Sequence, residues 1–499
     1  MTDAVFVEEI ECGNLWYDLS SEELKMMANR TSIHNEWGIT VYHTRVKSRS
    51  AKFTYVVKEV TPEIERELKA VRDYLKGTDV ILVRRDICQN IRNRFRVDFF
   101  VTREYARLAH MFSNSFFEPH DKDAEPDIVV VQVPEWKETK IYIHPTEDGR
   151  VFTFCLGSDY YGETKMAALR AAMYLMREYR NGLGMHAGGK LYRLRIGKDI
   201  KRFGVLILGL SGTGKTTITL SDHGLKSPEG ISIKQDDIML LRNDSFAYGT
   251  ENMFYIKTDN VTSQPYLFYA TQVPGAIAEN AWVDDEGEID FDNWTITTNG
   301  RCIVPRYAIP HTENNVDLPR TDFIFFNTRR YDLPPLGRLI SPEQAACYLM
   351  LGESSITSAE DPTRVGESKR VVAFNPFIID DPHKEGNKFY EILKKNPHIK
   401  VFLINTGFVG GEKGVKIKPQ DTMNLIVDAL SGNIEWQFDP VLGYEVVKSS
   451  RRVEMEKFDP YRIYGRSRYE EILNKLFKER KGWLSQFEGL LPEIKKALR

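Results

Sequence analysis

The stretch Phe203-Gly-Val-Leu-Ile-Leu-Gly-Leu-Ser-Gly-Thr-Gly-Lys-Thr-Thr217 decides how this chain is read. Val205 to Leu208 is an apolar run of strand length. Gly209 to Thr216 then fits G-x-x-x-x-G-K-[ST], the pattern of a phosphate-binding P-loop. Its glycines let the backbone turn tightly and aim N–H groups at phosphate oxygens. Lys215 is placed to reach β- and γ-phosphates, and the Thr216 hydroxyl to hold Mg²⁺. The helix that should follow adds its positive N-terminal end. The nucleotide-binding candidates are therefore Gly209, Leu210, Ser211, Gly212, Thr213, Gly214, Lys215, Thr216 and Thr217. A glycine turn without a ligand is the alternative, and the apolar run directly in front argues against it.

Outward from this stretch, 499 residues suffice for two or three packed units. Hydrophobic content of 42% and charged content of 28% are ordinary for a globular protein. A net charge of −3 gives no basic face, so nucleic acid is not expected as a partner. No apolar run approaches the roughly 20 residues that span a bilayer, and the acidic N-terminus has no signal-peptide core. Cys12, Cys88, Cys155, Cys302 and Cys347 are odd in number and lack metal-ligand spacing. Buried free thiols in a reducing cytoplasm are the expectation.

In chain order, Ser21–Ala28 reads as a helix capped by Ser20 or Ser21, and Gly38–Tyr42 and Phe53–Val57 as strands. The basic loop Arg45–Lys52 between those strands is either a solvated surface or an anion site. Thr61–Lys76 is a helix with Pro62 at its first position. Strands follow at Val80–Val83, Phe95–Val101, Ile128–Val133, Lys140–Ile143 and Val151–Phe154, with an amphipathic helix over Thr102–Phe116. Strands and helices without strict alternation suggest a mixed α/β domain. Gly162–Arg180 is a long helix with a polar start, and His186 then stands among small residues. Past the P-loop, Ile231–Asp237 reads as a strand ending in Asp236 and Asp237, where P-loop proteins hold Mg²⁺ or its waters. Glu251–Lys257, Thr295–Arg301, Phe323–Phe326 and Lys400–Phe408 are strand-like, and Asp285–Asp290 reads as a hairpin. A helix starts near Ser341, and an amphipathic helix follows Tyr461.

Several of these segments, in order, resemble the ATP-dependent phosphoenolpyruvate carboxykinase family. Met185-His186, the P-loop and Asp236-Asp237 each match its pattern. Glu251-Asn-Met-Phe-Tyr-Ile-Lys257 resembles its Glu-Gly-Gly-Cys-Tyr-Ala-Lys. Asn299-Gly-Arg301, Leu333-Pro-Pro-Leu-Gly-Arg-Leu339 and Asn405-Thr-Gly407 also have counterparts. Weaker matches reach Ser48–Lys52 and Phe458–Arg462. The resemblance implies conversion of oxaloacetate and ATP to phosphoenolpyruvate, CO₂ and ADP, with Mg²⁺ on the nucleotide and a second ion, usually Mn²⁺. It implies that His186 and Asp237 hold the second ion, that Arg49 and Arg301 hold carboxylates and departing CO₂, and that Arg462 lies beside adenine.

The chain departs from that pattern at Tyr161-Gly-Glu-Thr-Lys-Met166. The lysine that ligates the metal in the family falls on Met166, while Lys165 stands one position away, about 100° round a helix. Lys165 turned inward is the expected replacement ligand. The expected architecture is an N-terminal α/β domain over 1–184 and a P-loop nucleotide domain over 185–499, with the site in the cleft between them. Two alternatives stay open: a kinase of this fold acting on another small-molecule or protein acceptor, and an ATP-binding regulator without carboxykinase activity. All three readings share one prediction. Lys215→Ala should abolish ATP binding measured by calorimetry with Mg²⁺ present, because no neighbouring residue of the loop supplies that charge; unchanged affinity would remove the P-loop reading.

Overall fold

The computed structural model describes residues 4–29, 32–34, 39–210, 212–356, 363–411 and 414–498. Ser211 of the P-loop and Gly38 of the strand expected at Gly38–Tyr42 lie outside the described residues. The chain forms two compact units, Met1–Leu175 with Thr250–Val316, and Met176–Gly249 with Asp317–Arg499. A division at residues 184 and 185 groups Thr250–Val316 with the P-loop, whereas the fold groups it with the N-terminal segment. The reason is a ladder. Ile277–Glu279 pairs in parallel with Thr40–Tyr42 and antiparallel with Arg301–Val304. Pairing across more than two hundred residues leaves no local signal in the sequence.

Among the described residues the first unit holds a seven-stranded mixed sheet. Its order is Leu15–Trp16, Val80–Ile87, Phe95–Thr102, Ile128–Val133, Val151–Leu156, Lys140–Pro145 and Thr54–Val56. The ladder through Ile277–Glu279 belongs to a second sheet, of five strands among the described residues, that also includes Phe254–Lys257 and Ser32–His34. Helix ends follow local chemistry. Ser20 accepts from the Glu23 N–H at 3.2 Å, and Glu23 Oε2 accepts from the Ser20 N–H at 2.8 Å, closing a capping box on Ser21–Ala28. Thr61 caps Pro62–Lys76, whose inner face buries Leu68, Val71 and Leu75. The amphipathic segment after Thr102 begins with a 3₁₀ turn, Arg103–Tyr105, before the α-helix Ala106–Ser115. Thr295–Arg301 is not a strand; pairing begins at Arg301. Asn293 Oδ1 accepts from the Thr295 N–H and Thr297 Oγ1 from the Asn299 N–H, each at 3.1 Å, so local turns take the donors a ladder would need. Trp282–Val283 and Ile289–Asp290 form the hairpin expected around Asp285.

The second unit is built on a ten-stranded sheet among the described residues. Its centre is Gly182–Ile196, Asp199–Gly209, Phe323–Thr328 and Lys400–Asn405. The last three run parallel, and their carboxyl ends are level: Gly209 pairs with Asn327, and Thr328 with Asn405. Helices Pro342–Leu351, His383–Lys395 and Arg466–Ser485 contribute to the apolar core on this sheet through Leu349, Phe389 and Leu473. Cys88, Cys155, Cys302 and Cys347 are buried free thiols, and Cys12 is half-buried. No helix among the described residues is long and apolar enough to cross a membrane.

One buried ion cluster ties the helix Arg466–Ser485 to the rest of this unit. Glu353 is met by Arg480 at 2.7 Å, Arg370 at 2.7 Å and Arg330 at 3.7 Å, and Arg480 is 1% exposed. Burial opposes ionisation of Glu353, but Arg480 and Arg330 outweigh it and hold the carboxyl well below the usual range. Arg480→Met should therefore cost about 3 kcal/mol, read as a lower urea midpoint at neutral pH. A depressed folded pKa gives stability that is full above the unfolded carboxyl value and is lost as pH falls. The difference between variant and wild type should accordingly shrink below about pH 4; a pH-independent difference would show that packing, not charge, sets it.

Candidate functional site

The P-loop side belongs wholly to the second unit. The strand Asp199–Gly209 ends at the loop, and the helix Lys215–Leu220 follows it. Gly212 and Gly214 have φ of +80° and +86°, a backbone that only glycine takes without strain. Gly209 is required for space: a Cβ there would lie 2.4 Å from Thr213 Oγ1. Thr213 Oγ1 donates to Leu210 O at 2.8 Å, and the Thr406 hydroxyl donates to Thr213 O at 2.8 Å. Thr406 belongs to Asn405-Thr-Gly407, so that motif braces the loop from the neighbouring strand end. Lys215 and Thr216 are half-buried, and Thr217 is exposed.

Asp236 and Asp237 owe their place to a strand switch. Gly230–Gln235 and Ile238–Arg242 both pair with Gly182–Ile196, the first ending with Gln235 opposite Gly189 and the second starting with Ile238 opposite His186. The two aspartates are the link between these ladders, so they stand beside His186. His186 Nδ1 lies 2.9 Å from the Phe374 carbonyl and Nε2 lies 3.1 Å from Asp237 Oδ1. A carbonyl only accepts, so Nδ1 carries the hydrogen. Nε2 then faces a carboxylate oxygen, and that pairing needs a cation: a proton on Nε2 or a metal ion shared by both. A histidine oriented by a carbonyl and paired with a carboxylate suits a divalent transition metal. Lys215 Nζ is 3.7 Å from the same Asp237 oxygen, and Thr216 Oγ1 donates to Asp236 Oδ2 at 3.3 Å. Among the described residues no group of three or more His, Cys, Asp and Glu side chains is gathered for a metal, so a complete ligand set needs other donors. Arg462, expected beside adenine, is exposed in the helix Pro460–Tyr464 and donates to Glu456 at 2.9 Å.

The candidates on the substrate side belong to the first unit. Arg301 Nε donates to the Tyr160 hydroxyl at 3.2 Å and Nη2 to Asn299 Oδ1 at 3.0 Å. Asn299 Nδ2 donates to Lys47 O at 2.8 Å, which links Arg301 to the basic loop. That loop is held by buried carboxylates. Asp159 accepts from the Arg45 and Val46 N–H groups, each at 2.8 Å, and Glu163 from the Ser50 N–H at 2.7 Å. Arg49 is thereby fixed in a half-buried position, and Lys52 is exposed. Lys165 does not face solvent: it pairs with Glu251 at 2.8 Å, both 1% exposed, and its ammonium lies 5.0 Å from the Tyr255 ring centre. Met166 is buried as an apolar side chain.

Tyr160, Tyr255 and Glu279 stand beside the candidate residues and were not singled out by the sequence. Tyr255 donates to Glu279 at 3.2 Å, and the Tyr161 N–H donates to it at 2.9 Å. Burial pushes the Glu279 carboxyl up to about 7, against the pull of Arg107. Tyr255 lies inside a quoted motif and Tyr160 at a polar helix start, so both had a signal. Glu279 had none, since its role comes from strand pairing.

Comparison with known proteins places the whole chain in a family. A family model described as phosphoenolpyruvate carboxykinase matches residues 13–456. A protein of Aeropyrum pernix named phosphoenolpyruvate carboxykinase (ATP) is 37% identical over 412 residues, covering 83% of this chain and 82% of its own. Proteins of the same name from Christiangramia forsetii and Thermus thermophilus are 26% and 28% identical, covering 92% and 88% of this chain and 91% and 87% of theirs. With a family model over residues 13–456 and a relative of that identity over most of its length, the chain belongs to the ATP-dependent phosphoenolpyruvate carboxykinase family.

Proposed function

We propose that this chain converts oxaloacetate and ATP into phosphoenolpyruvate, CO₂ and ADP. The observation that carries the reading is the cluster of His186, Asp237 and Lys215, in which one carboxylate oxygen meets both an imidazole and the P-loop ammonium. A P-loop that binds nucleotide through Mg²⁺ alone has no need of that imidazole.

In this reading the P-loop N–H groups and Lys215 bind the β- and γ-phosphates of ATP, and Thr216 and Asp236 serve its Mg²⁺. Arg301, oriented by Tyr160 and Asn299, and Arg49, set by the anchored loop, bind the carboxylates of oxaloacetate. The bond between the departing carboxylate and the methylene carbon breaks, and its electron pair becomes the enolate double bond as CO₂ leaves. The enolate oxygen attacks the γ-phosphorus in line, and the bond to the bridging oxygen breaks to release ADP. Fixed positive charge at the enolate lowers that barrier without reorganisation. His186 and Asp237 would hold a divalent ion such as Mn²⁺, with Lys165, one position before the family's metal-binding lysine, as a further donor once its ammonium gives up a proton and its pairing with Glu251; when bound, the ion would supply charge at the enolate oxygen. The reactants are small molecules, and a cytoplasmic setting suits the free thiols.

Buried Met166, at the position of the family's metal-binding lysine, favours a second reading, phosphoryl transfer to a different small acceptor. Arg301→Lys separates the two, because lysine lacks the planar fork that holds a carboxylate. The carboxykinase reading expects kcat/KM for oxaloacetate to fall by about a hundredfold or more while ATP affinity stays within about twofold. Oxaloacetate turnover that ignores the substitution would favour the other acceptor. For the ion, electron paramagnetic resonance of Mn²⁺ in the ATP-bound protein should show a second site that His186→Ala removes. A signal that survives intact would make His186 structural.

A further inference from the structure

Two asparagines stand at the level carboxyl ends of the parallel strands. Asn405 uses its whole amide. Its Oδ1 accepts from the Arg330 N–H at 2.9 Å and the Gly407 N–H at 3.0 Å, and its Nδ2 donates to Leu333 O at 2.8 Å and Phe408 O at 3.3 Å. Asn327 is the opposite case. It is fully buried, and among the described residues neither Oδ1 nor Nδ2 has a hydrogen-bond partner. A leucine of similar size would fill the position without that penalty, and cores seldom keep an amide unsatisfied to no purpose.

Its place says what the amide serves. Asn327 pairs in register with Gly209, the first residue of the P-loop motif. A Cβ built on Gly209 would lie 2.9 Å from Asn327 Cβ and 2.4 Å from Thr213 Oγ1. The Asn327 side chain thus leaves the sheet on the face over which the P-loop folds back. The loop is braced by neighbours of Asn327: Thr406 donates to Thr213 O at 2.8 Å and Arg329 to Gly212 O at 3.4 Å. Thr213 turns its own hydroxyl back to Leu210 O.

We propose that Asn327 is a positioning residue for the P-loop, whose amide gains hydrogen bonds from the loop backbone when a nucleoside triphosphate fills the loop. The inference rests on the nucleotide reading above. It makes satisfaction of a buried amide part of the free energy of nucleotide binding, a differential interaction between two states of the loop. An amide satisfied only in the bound state strengthens binding and gives no stability without ligand.

The test compares wild type with Asn327→Leu by ATP calorimetry, by melting with and without ATP, and by steady-state kinetics. The expected result is an ATP Kd raised about tenfold or more, a melting temperature without nucleotide that is unchanged or higher, and a raised KM for ATP with kcat nearly unchanged. A lower melting temperature without nucleotide, with ATP Kd unchanged, would overturn the proposal and leave Asn327 a structural residue. Asn327→Ser adds no bulk and should show the same loss of ATP affinity where leucine is not accommodated. Failure of both variants to fold would contradict the proposal, since the amide would then be a requirement of the unliganded fold. Wild type that binds no ATP would overturn the nucleotide reading and this proposal with it.

Discussion

The level ending of three parallel strands is the constraint on which the nucleotide side depends. Gly209, Asn327 and Asn405 come to one edge because Asp199–Gly209, Phe323–Thr328 and Lys400–Asn405 share a register. In parallel sheets the loops at the carboxyl ends make the crevice where ligands bind. Here those loops are fastened to one another through their backbones. Asn405 alone ties Arg330, Leu333, Gly407 and Phe408 together, and Thr406 continues the tie to the P-loop. A loop braced in this way has fewer conformations to lose on binding a ligand, and the unbonded Asn327 amide marks the place where it still has contacts to gain.

The first unit solves a different problem, that of holding several cations in one region. Arginines and lysines repel one another and are costly to bury unpaired. Asp159, Glu163, Glu251 and Glu279 are buried among them and are used as fasteners. Asp159 and Glu163 spend oxygens on backbone N–H groups of the basic loop, while Arg107 and Arg170 balance their charge. Glu251 neutralises Lys165 directly. Glu279, raised towards neutrality, fixes Tyr255 with less negative charge than an ordinary carboxylate would bring. The result is positive groups set in advance rather than gathered by the substrate, the arrangement that stabilises developing negative charge.

Local chemistry was legible in the sequence. The P-loop, the caps at Ser20, Thr61 and Ser341, and the hairpin around Asp285 depend on neighbours within a few residues, and each stands where the residue types put it. The motifs around His186, Asp237 and Arg301 were legible through the family pattern. What escaped depends on register between distant segments. Thr250–Val316 joins the N-terminal unit through one ladder, and Glu279 acquires its role through the same ladder. Side-chain turns at Asn293 and Thr297 overrode the β-branched content of the segment before Arg301. The partner of Lys165 was hidden too, since nothing near Glu251 marks it as the counter-ion of a lysine 86 positions earlier.

The account stands or falls on coupled decarboxylation and phosphoryl transfer. The most direct measurement follows the protein with ATP, Mg²⁺, Mn²⁺ and oxaloacetate by phosphorus NMR while evolved CO₂ is trapped and counted. The account predicts a phosphoenolpyruvate resonance that grows in step with ADP, with one CO₂ released for each ADP formed. ADP formed without phosphoenolpyruvate, or no ADP from a protein that binds ATP, would contradict it.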